Sequence, residues 1–263
     1  MTALHYSHEG GVATLTLDSP PQNRLSGDLV AGLGAAIQDL AGREDTRVVL
    51  IKANGPDFSH GGDITTWPGQ SEEEFSELIG GAVVLTNTLE QIPVPVVVAV
   101  QGFCGGGGFE IALRGDIIIA ADNAEFCHTE ASIGVFTFLG GVQRVAERVG
   151  KSHAMQWAVT GERVNARRAL ASGLVTEVVA ADDLESVTNE WVESLATSAT
   201  LSHAAHKKLL NAWSAGGVPA ADQLLATMAG EILHSRDAQS CLPSAIEALQ
   251  AGRPRPTFDF TGN

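Results

Sequence analysis

Basic residues are scarce in this chain: 16 lysines and arginines stand against 31 aspartates and glutamates, a formal charge of −15. A surface of that sign repels nucleic-acid phosphates and anionic membranes, so neither is expected as a partner, and a polyanionic ligand needs a local site of its own. Cysteine is scarcer still. Cys104, Cys127 and Cys241 are odd in number and irregularly spaced, which speaks against a disulfide framework or a zinc ribbon and fits a reducing compartment. Long apolar runs are missing too. No stretch approaches the roughly 18 uninterrupted apolar residues of a membrane span, and the segment from Met1 to Gly11 has no basic stretch leading into an apolar core. A soluble, cytoplasmic protein is expected.

What is present is enough apolar material for a large core: 44% of 263 residues, sufficient for one large domain or two small ones. Alternation from Gly11 to Asp18 predicts a strand, preceded by a hairpin turn at Gly10-Gly11. Ser26 is a helix cap for a helix reaching Ala41, and Ser71 with Glu74 three residues on forms a capping-box pattern for a helix ending near Glu90, before Pro93 and Pro95. The β-branched runs Val48 to Lys52, Val94 to Val100 and Ile117 to Ala121, and later Leu174 to Val179, predict buried strands. A helix-rich stretch begins near Gly140. Beyond Asp182, whose spacing to Glu185 suits a helix start, only helices are expected, to about Gln250, followed by an irregular, partly docked tail. The fold class is therefore α/β with a helical C-terminal module.

Chemistry concentrates where a buried strand runs into glycines. In Ala99-Val100-Gln101-Gly102-Phe103-Cys104-Gly105-Gly106-Gly107-Gly108-Phe109-Glu110 the strand gives way to four glycines and then a helix. Glycine lets backbone approach a ligand, and the first amides of a helix lack internal partners and face outward at its positive end, which suits an oxyanion. Glu110 lies three residues past Gly107, so on a helical turn an amide and a carboxylate look into one site. Close packing of the glycines, with Glu110 as a favourable first-turn charge, accounts for the same residues without a ligand. Nucleotide loops fit worse, because the run lacks a Lys-Ser/Thr ending and the GxGxxG spacing. Small residues follow a second buried strand in Gly55-Pro56-Asp57-Phe58-Ser59-His60-Gly61-Gly62-Asp63-Ile64, and Glu130 precedes Gly134 and Gly140-Gly141. His128-Thr129-Glu130 mimics a deaminase H-x-E but has no downstream Pro-Cys-x-x-Cys. His203 and His206 lack cysteine co-ligands, and no metal is expected.

Together these segments resemble the crotonase, or enoyl-coenzyme A hydratase/isomerase, superfamily along most of the chain. Phe58 to Ile64 resembles the family's Phe-x-Ala-Gly-x-Asp block, Gly140-Gly141-Val142-Gln143-Arg144 its Gly-Gly-x-Gln-Arg, and Val159-Thr160-Gly161 its leucine-threonine-glycine before the stretch Ala169 to Val175. The resemblance implies a ββα spiral core over residues 1–195 carrying an acyl-coenzyme A site, and a helical oligomerisation module over 196–263. It implies Gly62 and Gly107 as the oxyanion amides and Glu110 and Glu130 as the catalytic carboxyls. Arg24, in the Pro21 to Leu25 turn, and Ser59, His60, Gly61, Gly62, Asp63, Ile64 and Thr65, with Gly107, would hold the thioester and its coenzyme A, Arg24 meeting a phosphate.

The implied activity is addition of water to a 2-enoyl-CoA thioester or the reverse dehydration, with double-bond isomerisation or β-dicarbonyl cleavage as the alternatives. Coenzyme A belongs to the substrate, no separate cofactor is expected, and a homotrimer or dimer of trimers is implied. Relatives that use a C-terminal tyrosine are poorer models, since the one tyrosine is Tyr6. A non-enzymatic binding role, including RNA binding, is disfavoured by the acidic balance and by retention of both glutamates. Departures bear on substrate choice: His60 stands in place of alanine, Thr129 in place of proline, and Phe136-Thr137-Phe138 in place of a Pro-Gly-containing loop. His128 is near enough in sequence to contact Glu130.

Overall fold

The computed structural model describes residues 3–262. Gly10 and Gly11 both adopt positive φ and turn a hairpin between β1 (Leu4–Glu9) and β2 (Val12–Leu17). In β1 only Leu4 is buried, so this edge strand carries almost no apolar alternation, and the glycine turn is its one sign in the sequence. Ser26 caps α1 (Gly27–Ala41) by accepting from the Leu29 amide, and β3 (Val48–Ala53) follows. Ser71 and Glu74 close their capping box at the start of α2 (Glu72–Gln91), as the spacing predicts. Next come β4 (Val96–Val100), β5 (Phe103–Gly105), α3 (Gly107–Ala112), β6 (Ile117–Ala121) and β7 (Glu125–Cys127). The chain continues through α4 (Gly141–Val149), α5 (Lys151–Thr160), β8 (Val164–Asn165), α6 (Ala166–Ser172) and β9 (Glu177–Val179). It ends in α7 (Leu184–Ala196), α8 (Thr200–Leu233) and α9 (Arg236–Gln250).

Two sheets result. The larger runs β1-β2-β3-β4-β6-β9, parallel except for β1, and the smaller is β5-β7-β8. The central strands are covered on both sides, which is why they read as unbroken apolar runs. On β4, Val96, Val98 and Val100 enter the main core beneath α1, α3, α4 and α5, while Val97 and Ala99 face α7 through Leu184 and Val192. The strands of the small sheet are two or three residues long, too short to carry a period, and none was expected.

Three boundaries differ from expectation, the first being β4, which starts at Val96, past Pro95, rather than at Val94. β9 starts at Glu177, because the Leu174 amide turns back to Ala169 O; Leu174 and Val175 are buried as loop residues rather than as strand. At Asp182 there is a 3₁₀ turn over Ala181–Asp183, and α7 begins after it with no side-chain cap. α8 is two helices that meet at a kink, where Gly216 and Gly217 leave helical geometry. Along α8 and α9, Leu210, Trp213, Leu225, Leu233, Ile246 and Leu249 are exposed. The tail beyond α9 has no regular structure and is pinned at two points. Arg47 donates to Phe260 O, and Asp237 accepts from the Thr261 and Gly262 amides. Among the described residues, no helix is long and apolar enough to cross a membrane.

Candidate active site

Parallel strands of one sheet end side by side, so the loops after β3 and β4 are neighbours, and an isolated bridge between Ser59 and Cys104 fastens them. Ser59 is wholly buried; its hydroxyl donates to Asn23 O at 2.6 Å and accepts from the Gly61 amide at 3.2 Å. Asn23 in turn donates to Asn54 O and Asp57 O, anchoring the 21–25 turn against the same loop. A second bridge pairs Leu25 with Gly62. The Leu25 amide donates to Gly61 O, and Leu25 O accepts from the Asp63 amide. That pattern uses the groups on either side of Gly62 and turns the Gly62 amide away from Leu25.

The Gly107 amide, first in α3, also has no intrahelical acceptor. The two amides lie close together, because a β-carbon placed on Gly107 would come 3.7 Å from the Gly62 nitrogen. Gly61 makes this approach possible: with φ at +85°, a β-carbon there would sit 2.9 Å from Gly105 O and 3.1 Å from the Gly107 nitrogen. Two amides without an acceptor among the described residues, one opening α3 and one on the loop after β3, thus lie side by side, an arrangement able to receive an oxygen that gains charge.

Glu110, one turn into α3, is 2% exposed. Its Oε1 accepts from the Leu139 amide at 2.9 Å and the Gly141 amide at 2.8 Å. Burial pushes its pKa up to about 7, the charge of Glu130 adds to the rise, and the two amides and Arg114 oppose it. Glu130 opens a short 3₁₀ turn, Glu130–Ile133. Burial also raises its pKa, and its Oε2 has no hydrogen-bond partner among the described residues.

His128 is buried beside it, with Nδ1 4.0 Å from Glu130 Oε2 and its ring 4.9 Å from that of Phe109. Burial lowers the His128 pKa to about 4, so at neutral pH it is uncharged. Two carboxyl groups that resist ionisation beside two free amides can hold and move a proton near a developing negative charge.

A cavity of about 660 Å³ opens over these groups. Gly62, Gly107, Glu110 and Glu130 all line it, as do Arg24, His60, Asp63 and Ile64. Ser59, Gly61 and Thr65 do not. Ser59 and Gly61 lie behind the glycine loops as their fastening, and the Thr65 hydroxyl turns to Asp63 at 2.6 Å while Thr66 takes the lining position. Arg24 points its guanidinium back at His60 O and Gly62 O, each at 3.4 Å. His60 pairs with Asp57 at 2.9 Å and packs at a tilt of 46° against Phe103, over whose ring the Arg163 guanidinium lies. His203 accepts from or donates to Ser198 at 2.6 Å, well away from His128 in the fold's C-terminal part.

Sequence reasoning missed Trp67 and the Leu139 and Gly141 amides. The Trp67 indole lies against Gly62, with Cζ2 3.1 Å from where a β-carbon would be, and its ring centroid is 5.7 Å from that of Phe138. A solitary tryptophan in a turn carries no periodic signal. Gly140-Gly141 was visible, but the carboxylate its amides would hold was not.

The enoyl-CoA hydratase/isomerase family model matches residues 7–252. The carnitinyl-CoA dehydratase of Proteus mirabilis is 30% identical over 240 residues, covering 90% of this chain and 92% of that protein. Among solved structures, the enoyl-CoA hydratase of Mycobacterium smegmatis superposes with a TM-score of 0.87 at 26% identity, covering 97% of this chain and 98% of that one. The Bacillus anthracis enoyl-CoA hydratase gives 0.87 at 25% identity, with 99% and 100% covered. The mixed α/β fold is thus that of the crotonase-type hydratases, and the chain belongs to the enoyl-CoA hydratase/isomerase family.

Proposed function

We propose that this enzyme adds water across the double bond of a 2-enoyl-CoA thioester, or removes water in the reverse direction, and needs no resident cofactor to do so. The observation that carries the proposal is a pair of buried carboxyl groups lining the same cavity as two unpaired amides. The thioester oxygen would accept from the Gly62 and Gly107 amides, each worth ~3 kcal/mol to the enolate-like transition state. In hydration the water oxygen bonds to C3 as one carboxylate takes its proton, and the other carboxyl group delivers a proton to C2. The pair begins and ends with one proton between them. Raised pKa values for both glutamates support that state, since together they titrate as a pair rather than singly. Relatives named as a dehydratase and as hydratases support the reaction class.

The lining residues divide by chemistry. Arg24, His60 and Arg163 supply cationic or polar groups for the coenzyme A portion, while Trp67, Leu78, Ile79, Ala82, Phe138 and Val135 form an apolar stretch of the lining, with Asp63, Thr66, Thr129 and Ser132 as further polar groups. The apolar stretch favours an acyl group that is itself apolar where it meets that wall. The exposed apolar residues of α8 and α9 would be covered by assembly into a trimer or dimer of trimers, which light scattering tests.

A panel of conjugated enoyl-CoA thioesters, followed by loss of the conjugated absorbance, tests the activity. Turnover with product carrying a 3-hydroxyl supports hydration. Migration of the double bond without uptake of water would replace it by isomerisation.

A further inference from the structure

The carboxylate of Glu110 is held by amides, and those amides are held in turn. Leu139 and Gly141 donate to Glu110 Oε1 from one side of the 139–141 turn. From the other side two guanidiniums grip its carbonyls: Arg114 Nη2 donates to Leu139 O, and Arg144 Nη1 donates to Gly140 O at 3.1 Å. Both arginines are fixed on Glu90 of α2. Arg114 Nη1 lies 2.9 Å from Glu90 Oε2 and also donates to Asn87, and Arg144 Nε lies 2.8 Å from Glu90 Oε1. Arg114 follows the C-terminus of α3, the helix that carries Glu110, and is 1% exposed. It does not line the 660 Å³ cavity; it faces a second, smaller one of about 170 Å³ on the far side of the turn.

We propose that Arg114 is a positioning residue for Glu110: it clamps the carbonyl side of the Leu139–Gly141 turn to Glu90, so that the amide side presents two donors to a single carboxylate oxygen. A buried guanidinium is a costly way to fill space, and an apolar side chain would pack there without a desolvation penalty. Its planar fork is what one neutral residue cannot replace, because separate nitrogens reach Glu90 and Leu139 O at once. The charge also counts. The ionisable groups facing Glu110 are Glu130 and His128 from the β7 loop and Arg114 on its own segment, with Glu90 of α2 and Arg144 of α4 paired behind them, and Arg114 opposes the rise that burial and Glu130 impose on Glu110. This proposal rests on the reading of Glu110 as a catalytic carboxyl.

The test compares R114M, R114K and E110Q with the unaltered enzyme, using the best thioester of the panel. For R114M, which fills the space and leaves Glu90 paired with Arg144, kcat should fall about tenfold or more while KM changes less than about threefold. The limb of its kcat–pH profile governed by Glu110 should move to higher pH, because a cation has been taken from beside a carboxylate. R114K should bring that limb back to its original place, with kcat still reduced because a point charge cannot serve both acceptors. An unmoved limb or an unchanged kcat in R114M overturns the proposal. If R114M does not fold, an unchanged kcat in R114K overturns it. Normal turnover in E110Q would instead remove the underlying reading, so the two failures are distinct.

Discussion

Gly62 and Gly107 offer backbone to the cavity, Glu110 and Glu130 offer side chains, and the fold supports the two pairs by different means. The amides are placed by strand ends, a helix start and two isolated bridges, all of which are hydrogen-bonded backbone that the sheet would form anyway. The Gly107 amide costs little, because an outward-facing amide at a helix start is unpaired in any helix. The carboxyls are the reverse case. Burial raises both pKa values, so the native state is charged with two groups that resist ionisation, and Glu110 needs donors on a third segment plus two arginines behind it. The amide pair is thus secured by backbone pairing, whereas Glu110 is secured by a network of amides and side chains.

The largest effect expected is on the side-chain half. Glu110→Gln and Glu130→Gln should each lower kcat about 10²- to 10⁴-fold, the usual contribution of a positioned acid or base, with folding intact. In Glu110→Gln the side-chain amide keeps an oxygen for the Leu139 and Gly141 amides, so the turn has no reason to collapse. Steady-state kinetics with circular dichroism as the folding control decides the matter, and two variants turning over normally would end the acid–base reading. The backbone half should break almost as badly at a residue that never meets the ligand. Gly61→Ala places a β-carbon against Gly105 O and the Gly107 nitrogen at a positive φ, and the two loops must part. A loss of about 10²- to 10³-fold in kcat/KM is expected, the cost of misplacing an oxyanion donor. Activity within a few-fold of the original enzyme would show that the loops are not held together as described.

The backbone half was also the more legible from the chain itself. Strand, glycines and helix follow one another without interruption from Ala99 to Glu110, so local rules suffice to place an amide and a carboxylate on one face. The capping box of α2 and the apolar runs of β3, β4 and β6 were equally local, and their elements formed where the spacing put them. What escaped depends on contacts between distant segments. Ser59 reads as a ligand contact beside His60, yet the fold turns it inward to Asn23. Arg114 gives no sign in the sequence of what it holds, because Glu90 and Leu139 stand 24 and 25 residues away. The strands of the small sheet escaped for want of length, and β1, for want of buried residues, was signalled by its glycine turn alone.

A thermodynamic difference between the halves follows from the Glu110 pKa of about 7, against an ordinary 4.5. Below the unfolded value both states are protonated and the group costs nothing. As pH rises from there to the folded value, the unfolded chain ionises while the native state does not, and stability is lost; above about 7 the loss is complete. Between about pH 5.5 and about pH 8 this amounts to roughly 2 kcal/mol from Glu110. Glu130 shifts in the same direction. In urea unfolding at fixed protein concentration, Glu110→Gln should therefore gain on the original enzyme by about that amount as pH is raised. Parallel stability curves for the two proteins would mean that Glu110 ionises in the folded state as easily as in the unfolded one.

The smallest effect belongs to Gly62, although its amide is half of the proposed oxyanion pair. Its φ is not positive, and a β-carbon there meets the rim of the Trp67 indole at 3.1 Å, a side chain able to give by a few tenths of an ångström. The Leu25 bridge uses Gly61 and Asp63, so Gly62→Ala leaves it intact and keeps the amide hydrogen. Folding should be unaffected and kcat/KM should stay within about tenfold, well short of losing a donor. The change should instead appear in the ratio of rates for bulky and slender acyl groups, because the displaced indole lies on the apolar wall beside Phe138. If Gly62→Ala were as damaging as Glu110→Gln, the backbone site would depend on an absent side chain after all, and the two halves would be supported in the same way.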